Sequence, residues 1–193
     1  MTKFSRTLAA GIVALAGLAA LNAQAATELV SNGGFETGDF TGWTTTDAPF
    51  PTSMYNVDTA GPHNGDYSAF FGGTGPDSDS ISQAIATTAG ASYLVSFYLA
   101  NPAGTPDGSF TASLGGVQFF SAPMSAFAFG PMSFTVSATG DDSVLSFGGF
   151  NTGSDFYTLD SVSVMAAVPE PSTYALLLTG LLAVGAYSRR QRR

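Results

Sequence analysis

Apolar and polar side chains alternate with a period of two along much of the chain between residues 26 and 167. The clearest runs place apolar residues at every second position: Tyr93, Val95, Phe97 and Leu99; Phe110, Ala112 and Leu114; Met132, Phe134 and Val136. Because successive side chains of a strand point to opposite faces, each run predicts a strand with one buried face. No stretch of this region has the period of an amphipathic helix.

Further short runs complete the set of predicted strands, and clusters of glycine, proline and aspartate separate them. The runs begin at Glu28 and Trp43 and span residues 67–71, 81–87, 117–120, 143–148 and 156–165. Residues 47–59 are rich in proline, aspartate and serine and are predicted to form a loop. About nine or ten short strands with such turns predict an all-β fold, an antiparallel β-sandwich.

The N-terminus has a different pattern. Lys3 and Arg6 precede an apolar run over residues 8–21, which closes on the small-residue pair Ala23 and Ala25. A basic start, a short apolar middle and an A-x-A site are typical of a secretory signal peptide. The sequence therefore predicts a signal peptide over residues 1–25, cleaved after Ala25.

The C-terminus, residues 168–193, combines three features in a fixed order. Pro169, Glu170 and Pro171 come first, an apolar segment spans residues 174–187, and four arginines follow. The apolar segment is short, since a bilayer core takes about 20 residues, but flanking tyrosines and snorkelling arginines extend its reach. The pattern predicts a transmembrane helix with its arginines on the cytoplasmic side, and by itself it would describe a permanent anchor.

This order of motif, membrane segment and basic end resembles the PEP-CTERM tail of exported proteins of Gram-negative bacteria. The resemblance implies that an exosortase-type membrane protease recognises Pro169-Glu170-Pro171 and removes the helix. The protein would then pass from the inner membrane to the cell surface or the extracellular matrix. A single domain over residues 26–167 is predicted between the two targeting segments.

Charge is divided unequally between the domain and its targeting segments. All six Lys and Arg residues lie in the two ends, whereas Glu170 is the only one of the 14 acidic residues outside the domain. A domain without basic side chains is excluded as a nucleic-acid binder and as a binder of anionic lipid. Cations and neutral polymers such as polysaccharides remain as partners. The chain has no cysteine, so no disulfide supports the exported domain.

Several landmarks of the domain resemble those of galactose-binding-like jelly rolls, a superfamily that includes many carbohydrate-binding modules. They are residues 32–38 (NGGFETG), 42–43 (GW), 63–67 (HNGDY), 90–97 (GASYLVSF) and 159–164 (LDSVSV). The resemblance covers nearly the whole domain and implies a jelly-roll β-sandwich. Because one fold hosts many functions, it does not by itself assign a ligand.

Asp160 is the most informative single residue. By strand alternation it shares a face with Phe156, Val162 and Val164, which predicts a core-facing carboxylate. No Lys or Arg of the domain can pair with it, so backbone N–H groups, solvent or a cation must satisfy it. The resemblance implies a structural calcium ion held by Glu36 and Asp160, with a main-chain oxygen of Gly34. The alternative is that Asp160 caps a turn at the strand edge.

Other candidate residues carry weaker signals. Trp43, Tyr55 and Tyr98 are candidates for stacking against sugar rings, although a Gly-Trp pair that begins a strand is also typical of a core position. Residues 77–80 lack the glycine and glutamate of an EF-hand loop and are predicted to be solvated. His63, the only histidine, is predicted to lie in a turn.

No known catalytic motif occurs in the domain. The sequence has no G-x-S-x-G elbow, no H-E-x-x-H helix and no cysteine, and no spacing singles out a pair of glycosidase carboxylates. The leading hypothesis is an exported, non-catalytic protein of the cell envelope or matrix, associated with exopolysaccharide or biofilm. A lectin-like carbohydrate-binding module is the alternative, and a glycan-active enzyme ranks third.

Overall fold

A computed structural model of the protein describes residues 27–49, 52–75, 77–104, 107–151 and 156–167, with Gly180, Val184 and Ser188 in the tail. The predicted signal peptide, including Ala23 and Ala25, lies outside the described residues. The sorting motif Pro169-Glu170-Pro171 and most of the predicted membrane helix lie outside them as well. The three tail residues are helical. Within the described residues, no helix combines the length and hydropathy needed to cross a bilayer.

The described part of the domain is built from antiparallel strands in two sheets. The strands are β1 (Thr44–Thr46), β2 (Tyr55–Asp58), β3 (Ser68–Phe71), β4 (Asp79–Ile85), β5 (Ser92–Asn101), β6 (Ser109–Leu114), β7 (Val117–Ser121), β8 (Phe127–Ser137), β9 (Ser143–Phe150) and β10 (Tyr157–Ala166). One sheet has the order β1-β4-β9-β6-β7, and the other has the order β2-β3-β10-β5-β8. The predicted all-β sandwich of the jelly-roll type is confirmed.

The core lies between the two sheets and is rich in phenylalanine. Phe71, Phe97, Phe110 and Phe147 are at most 1% exposed. Phe97 and Phe147 meet edge to face with ring centroids 5.2 Å apart, and Phe71 and Phe110 do so at 5.4 Å. Burial of each such ring contributes about 1.5 to 3 kcal/mol. Within each strand, every second side chain points into this core, and this is the cause of the two-residue period in the sequence.

Two predicted elements differ from the observed ones. The run that begins at Glu28 forms only a single bridge to Met165 instead of a strand. Its Glu28 carboxylate accepts the backbone N–H of Val164 at 2.8 Å, which ties this end of the chain to β10. The predicted loop over residues 47–59 was wrong in its last part, because β2 lies there and pairs with β3.

A bulge in β10 reverses the predicted facing of Asp160. The register with β5 shifts between Asp160 and Ser163, and Ser161 has a left-handed φ of 53°. Leu159 and Val162 therefore both face the core, and Asp160 lies on the outer face of the sheet, directly opposite Tyr98. The expectation that Asp160 shares a face with Val162 was wrong because the extra residue breaks the alternation.

Candidate functional site

Asp160 is fully buried although it lies on the outer face, because the turn over residues 61–66 covers it. Its Oδ2 accepts the backbone N–H groups of His63 at 2.8 Å and Asn64 at 3.0 Å, and its Oδ1 accepts that of Ser161. Three backbone N–H groups thus offset the cost of burying the Asp160 carboxylate, which has no Lys or Arg of the domain as a partner.

Glu36 contacts the same turn from the N-terminal loop. Its carboxylate accepts the N–H of Asp66, at 3.2 Å to Oε1 and 3.1 Å to Oε2, and the N–H of Tyr67 at 3.2 Å. Gly65 permits this approach, because a Cβ at that position would lie 2.3 Å from Oε1 of Glu36. The turn is therefore held between two carboxylates, one from each end of the domain.

Gly34 lies close to the side chains of both Glu36 and Asp160. A Cβ built on Gly34 would lie 3.7 Å from Cγ of Glu36 and 4.0 Å from Oδ1 of Asp160. Oε2 of Glu36 and Oδ1 of Asp160 each accept one hydrogen bond, so each keeps a lone pair. Ser68 precedes Ala69, the β3 partner of Leu159, and its buried Oγ has no partner among the described residues.

This donor set fits a hard cation such as calcium. Calcium takes roughly six to eight oxygen ligands at flexible geometry, and carboxylates with main-chain carbonyls are its usual partners. Glu36 and Asp160 would supply the carboxylates, and the carbonyl of Gly34 is the main-chain oxygen that the resemblance implies. No group of three or more acidic, His or Cys side chains suited to a metal occurs in the part of the chain that the structure describes.

Asp79 is a third carboxylate with an unexpected position. It begins β4, is fully buried, and accepts the N–H groups of Ala48 and Met54, each at 2.8 Å. The prediction of a solvated loop over residues 77–80 was therefore wrong for Asp79, although Asp77 is exposed. Asp79 holds the segment that leads from β1 to β2 against the sandwich.

An open cleft of about 390 Å³ crosses the outer face of the sheet that contains β5 and β10. We call it the outer-face cleft. Its lining residues come from all five strands of that sheet and from adjoining turns: Asp58, Ala60, Gly61, Phe70, Ala100, Pro102, Ala128, Phe129, Phe156 and Thr158. Because the side chains of Ala100 and Ala128 are small, the surface is depressed there, and larger aromatic side chains surround this depression.

Aromatic rings form the walls of the outer-face cleft. Phe70 of β3 and Phe156, just before β10, meet edge to face with centroids 4.9 Å apart. Phe156 has room because Gly72 has no Cβ, which would lie 2.2 Å from its Cδ1. Phe129 lies at a bulge of β8, where two residues oppose Ala100, and this bulge brings it to the cleft.

Tyr98 and His63 lie next to this cleft. Their rings stack with centroids 3.5 Å apart, and His63 is 5.6 Å from the ring of Phe129. Tyr98 is half-buried on the outer face, as its position opposite the core residues predicted. One face of its ring is covered by His63, so His63 belongs to the surface around the cleft and not only to a turn.

Trp43 and Tyr55 do not lie at the cleft. Trp43 is 8% exposed and packs between Phe35, at a centroid distance of 5.9 Å, and Phe147, at 6.2 Å, so it belongs to the core. Tyr55 stacks on Phe71 at 6.2 Å, which places its ring on the core side of β2. The three aromatic candidates Trp43, Tyr55 and Tyr98 thus do not form one platform.

Sequence reasoning did not single out Phe70 or Phe129, and its assignment of Phe156 to the core was wrong because Phe156 lines the outer-face cleft. Phe70 lies between two core residues, Ala69 and Phe71, in an entirely apolar run, so the pattern did not mark it as outward. Alternation places Phe70 and Phe71 on opposite faces of the sheet, but it does not tell which of the two is buried. The positions of Phe129 and Phe156 depend on the two bulges, for which the sequence has no signal.

The tail matches a known sorting signal. Residues 167–193 match the family model described as the PEP-CTERM protein-sorting motif. Such a motif implies export, with the protein anchored in the membrane before an exosortase processes it. No curated protein sequence matches the chain.

The domain is similar to solved carbohydrate-binding modules. A CBM61 structure in complex with β-1,4-galactotriose has 17% identity and a TM-score of 0.55, and the match covers 73% of this chain and 99% of that one. The CBM22-1 xylan-binding domain of Paenibacillus barcinonensis Xyn10C has 18% identity and a TM-score of 0.53, with 76% and 99% covered.

A third similar structure belongs to an enzyme chain. The CBM22-1 and GH10 modules of Clostridium thermocellum Xyn10B have 17% identity and a TM-score of 0.55, with 73% of this chain but only 29% of that chain covered. Identities at this level establish the fold and not the ligand. The chain therefore carries a PEP-CTERM sorting motif behind a domain with the jelly-roll fold of carbohydrate-binding modules.

Proposed function

We propose that this protein is an exported, non-catalytic carbohydrate-binding protein that holds a sugar chain in the outer-face cleft. The observation that carries the proposal is the cleft itself, with the rings of Phe70, Phe156 and Phe129 around a floor of small side chains. Pyranose rings have apolar faces, and aromatic side chains pack against such faces. The fold, shared with modules that bind galactan and xylan oligomers, supports the same reading.

The size and polarity of the cleft suit this role. Ligand sites typically have volumes of roughly 300 to 1,000 Å³, with mostly apolar walls and few polar groups. The outer-face cleft has about 390 Å³, and Asp58 and Thr158 supply its polar side chains. This volume and the mostly apolar lining suit the binding of part of a sugar chain.

The carboxylates of the cleft support a non-catalytic role. Glycoside hydrolysis commonly uses two carboxyl groups about 5 to 9.5 Å apart on either side of the scissile bond. Asp58 is the single carboxylate among the described residues that line the cleft. Asp160 is fully buried, and both Asp160 and Glu36 accept backbone N–H groups of the turn over residues 61–66.

Binding is tested by affinity electrophoresis of the purified domain in gels that contain soluble xylan, galactan or β-glucan. Phe70→Ala and Phe156→Ala should each weaken retention about tenfold, since one stacking ring contributes about 1 to 1.5 kcal/mol. Phe119→Ala, which removes a half-buried ring from β7 in the other sheet, is the matched control and should bind normally. Equal retention of all variants would contradict the proposal.

We propose further that the processed domain associates with exopolysaccharide or biofilm at the cell surface or in the matrix. The sorting motif supports export, and the acidic domain without Lys or Arg would not adhere to anionic lipid. Intact mass of the exported protein should give a chain that ends near Pro169. Replacement of Pro169, Glu170 and Pro171 by alanine should leave the full-length protein in the inner membrane, and release of this variant would contradict the proposal.

A structural calcium ion between Glu36 and Asp160 is proposed as part of the same domain. The lone pairs left on Oε2 of Glu36 and Oδ1 of Asp160 support it, as does the absence of Lys and Arg from the domain sequence. The ion would link the N-terminal loop to the last strand and stabilise the domain without taking part in sugar chemistry.

A further inference from the structure

We propose that the carboxylate of Asp58 makes the outer-face cleft selective for amino sugars that carry a free ammonium group, as in a deacetylated hexosamine polymer. This inference rests on the proposed function and names the ligand class of the same cleft. It depends on three features of the cleft, namely an available carboxylate oxygen, the orientation of two phenylalanine rings, and the distribution of charge in the domain.

The first feature is the hydrogen bonding of Asp58. Its Oδ1 accepts the N–H of Ala60 at 2.9 Å, which orients the carboxylate at the end of β2. Its Oδ2 accepts no hydrogen bond from any residue that the structure describes, and the side chain is half-buried. An oriented carboxylate with one free oxygen at the wall of a cleft is suited to bind an ammonium group through a charge-assisted hydrogen bond.

The second feature is the pair of rings beside it. Asp58 lies diagonally across from Phe70 in the β2–β3 pair, a spacing at which side chains on one face interact. The planes of Phe70 and Phe156 are inclined by 65°, so their faces have different directions around the cleft. A cation is attracted to the face of an aromatic ring, and this attraction grows when the cation is partly desolvated.

The third feature is charge. No Lys or Arg occurs between Arg6 and Arg189, so no Lys or Arg of the domain can form an ion pair with Asp58. None of the described residues that line the cleft is Lys, Arg or His, so they offer no cationic group to a uronic acid or a sulfated sugar, which the carboxylate of Asp58 would repel. A negative domain attracts a positively charged polymer at long range, and this raises the rate of association. Amino sugars match both the cleft and its surroundings.

The test compares three oligosaccharides of equal length and linkage by isothermal titration calorimetry at low salt and mildly acidic pH. They are β-1,4-linked tetramers of glucosamine, of N-acetylglucosamine and of glucose. The glucosamine tetramer should bind about tenfold more tightly than the other two, since it alone adds an ion pair and a cation–π contact. Asp58→Asn should remove this preference, so that the glucosamine tetramer binds no more tightly than the other two.

An exposed aspartate outside the cleft provides the control. Asp77→Asn removes the same charge from the domain, and the preference should persist in this variant. Equal loss in Asp77→Asn and Asp58→Asn would indicate general attraction to an acidic surface and overturn the inference. Equal affinity for all three tetramers, lost in Phe70→Ala, would overturn the ammonium selectivity and leave the sugar cleft in place. No binding of any tetramer or polysaccharide would overturn both.

Discussion

The backbone N–H of His63 lies 2.8 Å from Oδ2 of Asp160, and this contact joins the turn over residues 61–66 to the last strand of the sandwich. Asp160→Ala should lower the free energy of unfolding by about 3 kcal/mol, because it leaves the N–H groups of His63, Asn64 and Ser161 without their acceptor. Urea denaturation followed by tryptophan fluorescence measures the change.

An exposed carboxylate separates this effect from a general effect of charge. Asp77→Ala removes an exposed acid and should change stability by less than about 0.5 kcal/mol. A loss of equal size in both variants would show that Asp160 acts through net charge and not through its three hydrogen bonds.

Calcium should raise the melting temperature of the domain relative to buffer with a chelator. Binding to the folded state alone stabilises it by mass action, by about 2.7 kcal/mol at a calcium concentration 100-fold above the dissociation constant. Glu36→Gln should reduce this calcium-dependent increase, because it removes one charged ligand but keeps an oxygen for the N–H groups of Asp66 and Tyr67. An unchanged melting temperature in the original protein would refute the calcium site.

Gly33 should not tolerate a side chain. A Cβ at this position would lie 2.0 Å from the carbonyl oxygen of Val162, and the Gly33 carbonyl accepts the N–H of Val162 at 2.8 Å. The clash involves backbone on both sides, so it cannot be relieved by a side-chain rotation. We expect Gly33→Ala to lower the free energy of unfolding by about 2 to 3 kcal/mol, measured by urea denaturation.

Gly140 provides the matched control for this substitution. No atom lies within 4 Å of a Cβ built there. Gly140→Ala should therefore be neutral or stabilise slightly, because alanine reduces the freedom of the unfolded chain. A similar loss at both positions would mean that the effect comes from glycine flexibility and not from the contact with Val162.

Most of the fold was predictable because its strands have one core face and one solvent face. β5, β6 and β8 follow the alternation of Phe97, Phe110 and Phe134 with polar neighbours. β2 was missed because it has only four residues and follows a stretch rich in proline and aspartate. In such a stretch the residue types favour a loop, and four residues are too few for an alternating pattern to indicate a strand. The conformation of such an edge strand is set by its partner β3.

The sequence predicted which groups could bind the Asp160 carboxylate, but it did not predict which face of the sheet its side chain would lie on. The lack of Lys and Arg restricted the partners of Asp160 to backbone N–H groups, solvent or a cation, and the structure supplies backbone N–H groups. Its facing could not be predicted, because Ser161 adopts a positive φ without being glycine. Phe129 likewise reaches the cleft through a bulge that no residue type marks.

Tyr55 should make the domain sensitive to alkaline pH. Burial, and then its hydrogen bond to Asp47, raise the pKa of Tyr55 above the ordinary value of 10.0. Folding thus favours the neutral phenol, so its contribution is fully present below pH 10.0 and is lost as pH rises through the higher folded-state pKa.

Urea denaturation at several pH values from about 9 to 11 tests this contribution. The original protein should lose stability more steeply above pH 10.0 than Tyr55→Phe, which has no phenol to ionise at that position. The variant should be slightly less stable at neutral pH, because Asp47 loses its donor. Parallel pH profiles of the two proteins would contradict the prediction.

Asn101 should be replaceable by leucine with a gain in stability. Its side chain is fully buried at the end of β5, and neither Nδ2 nor Oδ1 has a hydrogen-bond partner among the described residues. Burial of an unpaired amide costs about 1 to 3 kcal/mol, and leucine of similar size removes that cost. Asn101→Leu should raise the free energy of unfolding by about 1 to 2 kcal/mol in urea denaturation, whereas Asn56→Leu, at an exposed position of β2, should leave it nearly unchanged. A decrease in Asn101→Leu alone would mean that the amide is satisfied in solution, by a bound water or by another polar group.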